Sequence, residues 1–149
     1  DTAAAARVAG VTLVNQDGSE VSLRQFRGRL VLVYFYPKAG TPGCTQQACA
    51  LRDAKPDIGD SIVLGISPDK VTALRTFAAK QHLDFDLLSD PDHAVAEAYG
   101  VWKEKKLYGK VYMGIERSAF LVDSKGKLAA VHYKISPKDT PGVLVGALA

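Results

Sequence analysis

The sequence predicts an α/β fold, with a central mixed β-sheet flanked by helices in one domain that spans residues 1–149. Apolar runs of strand length alternate with runs of helical spacing, which is typical of layered α/β domains. Two turn signals separate pairs of short strands and indicate antiparallel hairpins, so the sheet should be mixed. Hydrophobic residues make up 47% of the chain, which is enough for a core.

The strands are predicted from apolar runs and from the turns between them. Asp17-Gly18 separates the short runs 11–14 and 21–23 and predicts an N-terminal β-hairpin. Residues 30–36, Leu-Val-Leu-Val-Tyr-Phe-Tyr, are continuously apolar and predict a central strand that is buried on both faces. The remaining strands are predicted at residues 62–66, 85–88, 119–122 and 128–133, the last two forming a second hairpin around Asp123-Ser124-Lys125-Gly126.

The helices are predicted from apolar spacing and from residues that start or stop a helix. Residues 44–55 predict a helix that Pro56 and Gly59 end. Ser67-Pro68-Asp69 predicts the start of a helix through residues 71–81, with a proline early and an acid in the first turn. Further helices are predicted at residues 94–99 and 141–148. The lysine-rich residues 103–106 predict a solvated loop, and residues 108–115 give no clear prediction because glycine interrupts their pattern.

Composition and charge exclude several classes of function. The net charge is +3, and no dense stripe of lysine and arginine with interleaved aromatic residues is present, so we expect no nucleic-acid partner. No apolar run approaches the roughly 20 residues of a membrane span, and no secretory apolar region is visible, so we expect a cytoplasmic protein without a membrane partner. Two cysteines are too few for a disulfide scaffold.

Both cysteines, Cys44 and Cys49, lie where the central strand gives way to the first long helix. Backbone N–H groups point outward at the first turn of a helix, and the helix macrodipole favours negative charge there. This environment favours a thiolate, which is the reactive form of cysteine. We therefore expect Cys44, at the helix start, to be the nucleophile. The order strand, reactive loop, helix, strand, helix is the thioredoxin-like arrangement.

The residues before Cys44 suit the reduction of a peroxide. A thiolate attacks one oxygen of the O–O bond and the other oxygen leaves as water or an alcohol, so the site must stabilise an anion and hold two polar oxygens. The backbone N–H groups of Gly43 and Cys44 can donate to the nearer oxygen, and the Thr41 hydroxyl can both accept and donate. Pro37 fixes the backbone at the end of the strand and shields the loop from water.

The motif Pro37-x-x-x-Thr41-x-x-Cys44 resembles the active-site motif of the peroxiredoxins. Longer matches resemble the PrxQ, or bacterioferritin comigratory protein, subfamily, and together they span residues 17–133, most of the chain. These matches are Tyr34-Phe35-Tyr36-Pro37, Thr41-Pro42-Gly43-Cys44-Thr45, Gly65-Ile66-Ser67-Pro68-Asp69, Leu87-Leu88-Ser89-Asp90-Pro91-Asp92, Tyr108-Gly109-Lys110 and Ile115-Glu116-Arg117-Ser118.

The resemblance implies a role for each matched residue. Cys44 matches the peroxidatic cysteine, and Cys49 matches the resolving cysteine that many members carry five positions later. Thr41 and Pro37 match the residues that shape the peroxide pocket, and Arg117 matches the distant arginine that joins it. The implied activity is thiol-dependent reduction of hydrogen peroxide and organic hydroperoxides in antioxidant defence. The intramolecular disulfide is implied to be reduced by thioredoxin, or by glutaredoxin in some members.

The sequence departs from the subfamily pattern at three places. Gln47 stands where members often carry glutamate, so an amide replaces a charge close to the nucleophile. The usual opening is replaced at residues 7–13, and the tail after Tyr133 matches poorly. These departures leave open how the nucleophile is tuned and how the two ends of the chain pack.

Cys49 cannot reach Cys44 while the helix between them is intact. Five residues of α-helix rise about 7.5 Å and turn through about 140°, which separates the two Cα atoms by roughly 8–9 Å. A disulfide needs a Cα separation below about 7 Å. We therefore expect the first turns of this helix to unwind in each catalytic cycle.

The same residues also allow interpretations that involve no catalysis. Two inert core thiols are the default for buried cysteines, although the active-site motif makes this the weaker interpretation. No pair of histidines lies at ligand spacing, so we expect neither a metal nor another cofactor. Asp90, Asp92, His93 and Glu97 could suggest a cation site, but a capped helix start explains the first three better.

Two other functions stay open. A thiol–disulfide oxidoreductase on the same fold is one, although the sequence lacks the Cys-x-x-Cys motif that preorganises such a disulfide. A redox-responsive binding protein, whose helix unwinds to signal to a partner, is the other; it would be oxidised once and stall, whereas an enzyme consumes peroxide continuously. Because the expected disulfide lies within one chain, we expect a monomer or a weak dimer.

Overall fold

A computed structural model describes residues 11–148 of the chain. Its strands are β1 (Thr12–Asn15), β2 (Glu20–Ser22), β3 (Val31–Phe35), β4 (Ile62–Ser67), β5 (Asp86–Ser89), β6 (Trp102–Leu107), β7 (Lys110–Ile115), β8 (Ser118–Val122) and β9 (Leu128–His132). Its helices are α1 (Pro42–Asp53), α2 (Lys55–Ile58), α3 (Val71–Gln81), α4 (Ala94–Ala98) and α5 (Thr140–Leu148), with short 3-10 helices at Leu23–Phe26 and Pro137–Asp139.

Seven strands form one mixed sheet in the order β2-β1-β5-β4-β3-β8-β9, and β6 and β7 form a separate hairpin. Strands β3, β4 and β5 run parallel, whereas β8 is antiparallel to β3 and β1 is antiparallel to β5. The thioredoxin-like α/β fold predicted from the sequence is therefore confirmed. The N-terminal hairpin is also confirmed, and it extends the central sheet through β1.

Strand β3 lies at the centre of the fold and all five of its residues are buried. Successive side chains of a strand point to opposite faces, so the apolar run fills two cores at once. Leu32 and Tyr34 belong to the core beneath α1, α2, α3 and α5. Val31, Val33 and Phe35 belong to the core on the other face, beside α4 and the base of the β6–β7 hairpin. The prediction of a central strand buried on both faces is confirmed.

Gly65 of β4 makes room for the large ring of Tyr34 on the neighbouring strand. The two residues are partners in the parallel β3–β4 register. A Cβ atom at position 65 would lie 2.9 Å from the hydroxyl oxygen of Tyr34, closer than packed atoms approach. Glycine at this position therefore allows an aromatic side chain under α1.

The lysine-rich segment that we predicted to be a solvated loop is a strand, and this prediction was wrong. Lys103 to Lys106 lie within β6, which pairs with β7 in an antiparallel hairpin around Tyr108-Gly109. Most of the hairpin is exposed, so neither strand has the one-sided apolar pattern that marks a half-buried strand in a sequence. Backbone pairing rather than burial forms this hairpin.

The start of α3 also differs from the prediction. The helix begins at Val71 with Lys70 as its N-cap, and its first turn contains no acidic residue. Asp69 stays in the preceding loop because its carboxylate accepts hydrogen bonds from the backbone N–H of Ala39 at 2.7 Å and from the Ser67 hydroxyl at 2.8 Å. Asp69 therefore ties the loop after β4 to the loop after β3.

The other predicted elements are present with bounds shifted by a few residues. Helix α1 begins at Pro42 rather than at residue 44, and it ends at Asp53 before the short helix α2. Within residues 11–148, no helix is long and apolar enough to cross a membrane. Of the unusual opening at residues 7–13, residues 7–10 lie outside the described part of the chain.

Candidate active site

The first turn of α1 follows the loop that leaves the centre of the sheet, and it carries Cys44 as its third residue. Pro42 occupies the first helical position, where its missing N–H costs nothing and its fixed φ suits the helix. Thr41 is the N-cap residue, and its carbonyl accepts the N–H of Thr45 at 2.9 Å. The Cys44 side chain is buried, with 1% of its surface exposed.

Arg117 meets Cys44 because of the register between β3 and β8. Ser118 pairs with Phe35, so Arg117 lies beside the end of β3, where the loop to Cys44 begins. Its Nη2 atom donates to Cys44 Sγ at 3.5 Å. A guanidinium donating to sulfur stabilises the thiolate, so the nucleophile predicted from the sequence has a cationic partner 73 residues away in the chain.

Gln47 holds the other end of the same guanidinium. Its Oε1 atom accepts a hydrogen bond from Arg117 Nη1 at 2.6 Å. Its Nε2 atom donates to the Thr140 hydroxyl at 2.9 Å, and that hydroxyl donates to the carbonyl of Ser136 at 3.0 Å. Gln47 and Thr140 are fully buried. Sequence reasoning singled out Gln47 as a departure and missed Thr140, because nothing in the local pattern of the C-terminal helix points to Gln47.

Thr41 and Pro37 lie in the loop before Cys44. The Thr41 hydroxyl donates to the carbonyl of Lys38 at 2.7 Å, which leaves its oxygen lone pairs as acceptors. Pro37 directly follows the buried Tyr36 and is itself half-buried. The loop is further held by Asp69, a residue whose role in the site the sequence did not reveal.

Gly43 lies against the guanidinium group of Arg117. A Cβ atom at position 43 would lie 3.1 Å from Arg117 Nη2. The backbone N–H groups of Gly43 and Cys44 belong to the first turn of α1, where N–H groups have no partner within the helix. The arrangement therefore places backbone donors, a guanidinium and a thiol at one helix N-terminus.

Cys49 lies on a different side of α1 and is not brought to Cys44. Its thiol is half-buried and donates to Gln81 Oε1 at the end of α3, at 3.5 Å. Both cysteines are free, and α1 is continuous from Pro42 to Asp53. The structure thus has the reduced, folded arrangement in which the two thiols contact different elements.

Burial and nearby charges shift the pKa values of two side chains near the site. Partial burial lowers the pKa of Lys105 in β6, and the positive charge of Arg117 lowers it further. Burial raises the pKa of Tyr34 well above its usual value, and Tyr36 and Cys44 add to the effect. The side chains under α1 are therefore held in a poorly solvated environment.

Asp90 caps α4 as the sequence predicted. Its carboxylate accepts hydrogen bonds from the backbone N–H groups of Val95 at 3.2 Å and Ala96 at 2.9 Å. Asp92 accepts from the N–H of Ala94 at 3.3 Å. In the part of the chain that the structure describes, no group of three or more histidine, cysteine, aspartate or glutamate side chains could hold a metal ion.

Comparisons with known proteins show the family of this chain. The chain matches the AhpC/TSA family over residues 4–131. It is 54% identical to peroxiredoxin Bcp of Escherichia coli strain K12 over 122 residues, which cover 80% of this chain and 78% of that protein. The resemblance to peroxiredoxins of the PrxQ type is thereby confirmed.

Solved structures show the same similarity. The bacterioferritin comigratory protein of Xanthomonas campestris superposes with a TM-score of 0.88 at 34% identity, over 96% of this chain and 92% of that one. Peroxidoxin BcpB of Mycobacterium tuberculosis superposes with a TM-score of 0.81 at 32% identity, over 93% and 90% of the two chains. From its sequence, its fold and its relatives, the chain belongs to the AhpC/TSA family and is a peroxiredoxin of the Bcp/PrxQ type.

Proposed function

We propose that this peroxiredoxin reduces hydrogen peroxide and organic hydroperoxides with Cys44 as the peroxidatic cysteine. The observation that carries the assignment is the contact between Cys44 Sγ and Arg117 Nη2 at the first turn of α1. The thiolate attacks one peroxide oxygen and the O–O bond breaks. Cys44 becomes a sulfenic acid, and the other oxygen leaves with a proton as water or an alcohol.

Five further groups serve this step. The N–H groups of Gly43 and Cys44 donate to the attacked oxygen, and the free lone pairs of the Thr41 hydroxyl accept a hydrogen bond from the peroxide. Arg117 stabilises the thiolate and the charge that develops on the leaving oxygen. Pro37 fixes the start of the loop and limits the access of water.

Cys49 resolves the sulfenic acid. Its thiol attacks Cys44 sulfur, an S–S bond forms, and the sulfenic oxygen leaves as water. Because both thiols belong to one intact helix and contact different neighbours, Arg117 and Gln81, the first turns of α1 must unwind before this bond can form. Unwinding also exposes the disulfide to a reductant that must approach sulfur in line.

Thioredoxin is the reductant that we propose for the disulfide, with glutaredoxin as the alternative. The reaction needs no second subunit, which favours a monomer. Continuous recycling of two thiols requires a reducing compartment, which favours the cytoplasm. The enzyme then serves antioxidant defence without a metal or an organic cofactor.

The test is peroxide consumption in the presence of thioredoxin and its reductase. Cys44→Ser removes the nucleophile and should abolish consumption. Cys49→Ser keeps the nucleophile, so it should allow one oxidation event and then block recycling by thioredoxin. Full steady-state activity of Cys44→Ser would contradict the assignment. A wild type that is oxidised once and then stalls would indicate a redox-responsive binding protein instead.

A further inference from the structure

We propose that Thr140 is a positioning residue that acts through Gln47 to keep the first turns of α1 folded. It thereby sets the proportion of oxidised Cys44 that forms a disulfide with Cys49 rather than being oxidised further by a second molecule of peroxide. The inference rests on the proposed function, because it concerns the step that follows the first oxidation. Its starting point is a chain of hydrogen bonds through the buried side chains of Gln47 and Thr140, which joins the C-terminal segment to the active site.

The hydroxyl of Thr140 fixes which end of the Gln47 amide faces it while it stays bonded to the Ser136 carbonyl. It donates to the Ser136 carbonyl, so its oxygen is left to accept a hydrogen bond from Gln47 Nε2. This directs the amide oxygen of Gln47 to the other side, where Arg117 Nη1 donates to it. The amide is therefore oriented at both ends, whereas a carboxylate at this position could bind the Thr140 hydroxyl only if that hydroxyl gave up its bond to the Ser136 carbonyl.

Gln47 lies between the two cysteines in the chain, inside the segment that must unwind. Its two hydrogen bonds, to Thr140 and from Arg117, join α1 to α5 and to the start of β8. Unwinding residues 44–49 would break both bonds and leave buried polar groups without partners, which disfavours opening. The bond to Thr140 is thus a latch on the folded helix that does not itself contact the reacting sulfur.

A latch on the folded helix has a chemical consequence. While α1 stays folded, the sulfenic acid of Cys44 can react with a second peroxide, which transfers one oxygen to give a sulfinic acid and leaves as water or an alcohol. Once α1 opens, Cys49 forms the disulfide and releases water. A weaker latch therefore favours the disulfide over the sulfinic acid.

The first measurement is amide hydrogen exchange of residues 44–50 in the reduced protein without peroxide. Thr140→Val keeps the shape of the side chain but removes the hydroxyl, and it should speed exchange in this segment about fivefold. Thr140→Ser restores the hydroxyl and should return exchange to the wild-type rate. Leu144→Val serves as a control, because Leu144 is a buried α5 residue whose trimming weakens core packing without a hydrogen bond to Gln47.

The second measurement is the ratio of sulfinic acid to disulfide over a series of peroxide concentrations. Thr140→Val should lower this ratio about fivefold at a given peroxide concentration, and Thr140→Ser should not. Adding Thr140→Val to Gln47→Met should change neither exchange nor the ratio further, because the latch is already absent.

The two measurements separate the latch from the proposed function. The latch would be overturned if hydrogen exchange in Thr140→Val stayed at the wild-type rate, or if exchange in Thr140→Ser were as fast as in Thr140→Val. It would also be overturned if Leu144→Val sped exchange as much as Thr140→Val, or if Thr140→Val had an added effect in the Gln47→Met background. A wild type that forms neither disulfide nor sulfinic acid would refute the proposed function, while the exchange data would still decide the latch.

Discussion

At the scale of the residue, the site depends on the planar, forked shape of the Arg117 side chain. One nitrogen donates to Cys44 Sγ and another donates to Gln47 Oε1, so a single group binds Cys44 and is itself fixed by the helix that carries Cys44. An ammonium group offers a point charge on a flexible stem and cannot reproduce two donors in a fixed plane. The geometry, and not only the charge, should therefore matter for the reaction.

Arg117→Lys is expected to lower the second-order rate constant for peroxide reduction by about 10²-fold, because it removes oriented donors from the developing charge. The rate of the first oxidation, followed by stopped flow, measures this. Arg29→Lys, at an exposed position, is the matched control and should keep the wild-type rate. A wild-type rate in Arg117→Lys would mean that charge alone suffices.

At the scale of the element, α1 combines a helix start led by Pro42 with a close approach between Gly43 and Arg117. Pro42 and the N-cap geometry of Thr41 begin the helix, and Gly43 leaves space for the guanidinium. The backbone of Gly43 is helical, so alanine would suit the helix itself. The cost of a side chain at this position would fall on Arg117 instead.

Gly43→Ala is therefore expected to slow peroxide reduction about tenfold while the melting temperature stays the same or rises. The added Cβ would lie 3.1 Å from Arg117 Nη2, so the guanidinium group would have to move away by a few tenths of an ångström. Gly146→Ala in α5 is the control, because no atom lies within 4 Å of a Cβ there, and its activity should be unchanged. Equal rates in both variants would show that the approach of Gly43 to Arg117 has no role.

The sequence was sufficient to predict the elements that depend on local residue patterns. It was insufficient to predict contacts between residues that are distant in the chain. The turn at Asp17-Gly18, the apolar run of β3 and the cysteine at a helix start are local signals, and each prediction held. The contact of Arg117 with Cys44 could be expected only from the family resemblance, and no local pattern indicates the contact of Thr140 with Gln47. Both contacts depend on tertiary packing. The β6 strand was missed because its exposed lysines carry no burial pattern.

At the scale of the whole molecule, the central sheet and its aromatic side chains should make the protein sensitive to alkaline conditions. Tyr34 and Tyr99 have buried hydroxyl groups without a hydrogen-bond partner among the described residues. Burial raises the pKa of both above its usual value. The unfolded chain loses these protons near pH ~10, before the folded protein does, so the stability that they support is complete below that pH and is lost as pH rises.

Tyr34→Phe should consequently make the free energy of unfolding less dependent on pH. One pH unit above the unfolded-state pKa, a tyrosine that stays protonated in the folded state lowers this free energy by about 1.4 kcal/mol, and the variant should be spared that loss. Urea unfolding of the wild type and of Tyr34→Phe at pH ~8 and pH ~11 measures the difference. The same loss of stability in both proteins would argue against this origin of alkaline sensitivity.

The proposed mechanism requires that Cys44 is oxidised first and that α1 opens so that Cys49 can reach it. Peptide mapping by mass spectrometry, after the reduced protein is treated with one equivalent of hydrogen peroxide, tests this most directly. We expect a single disulfide between Cys44 and Cys49 within one chain. Recovery of Cys44 as an unmodified thiol, while peroxide is consumed, would contradict it.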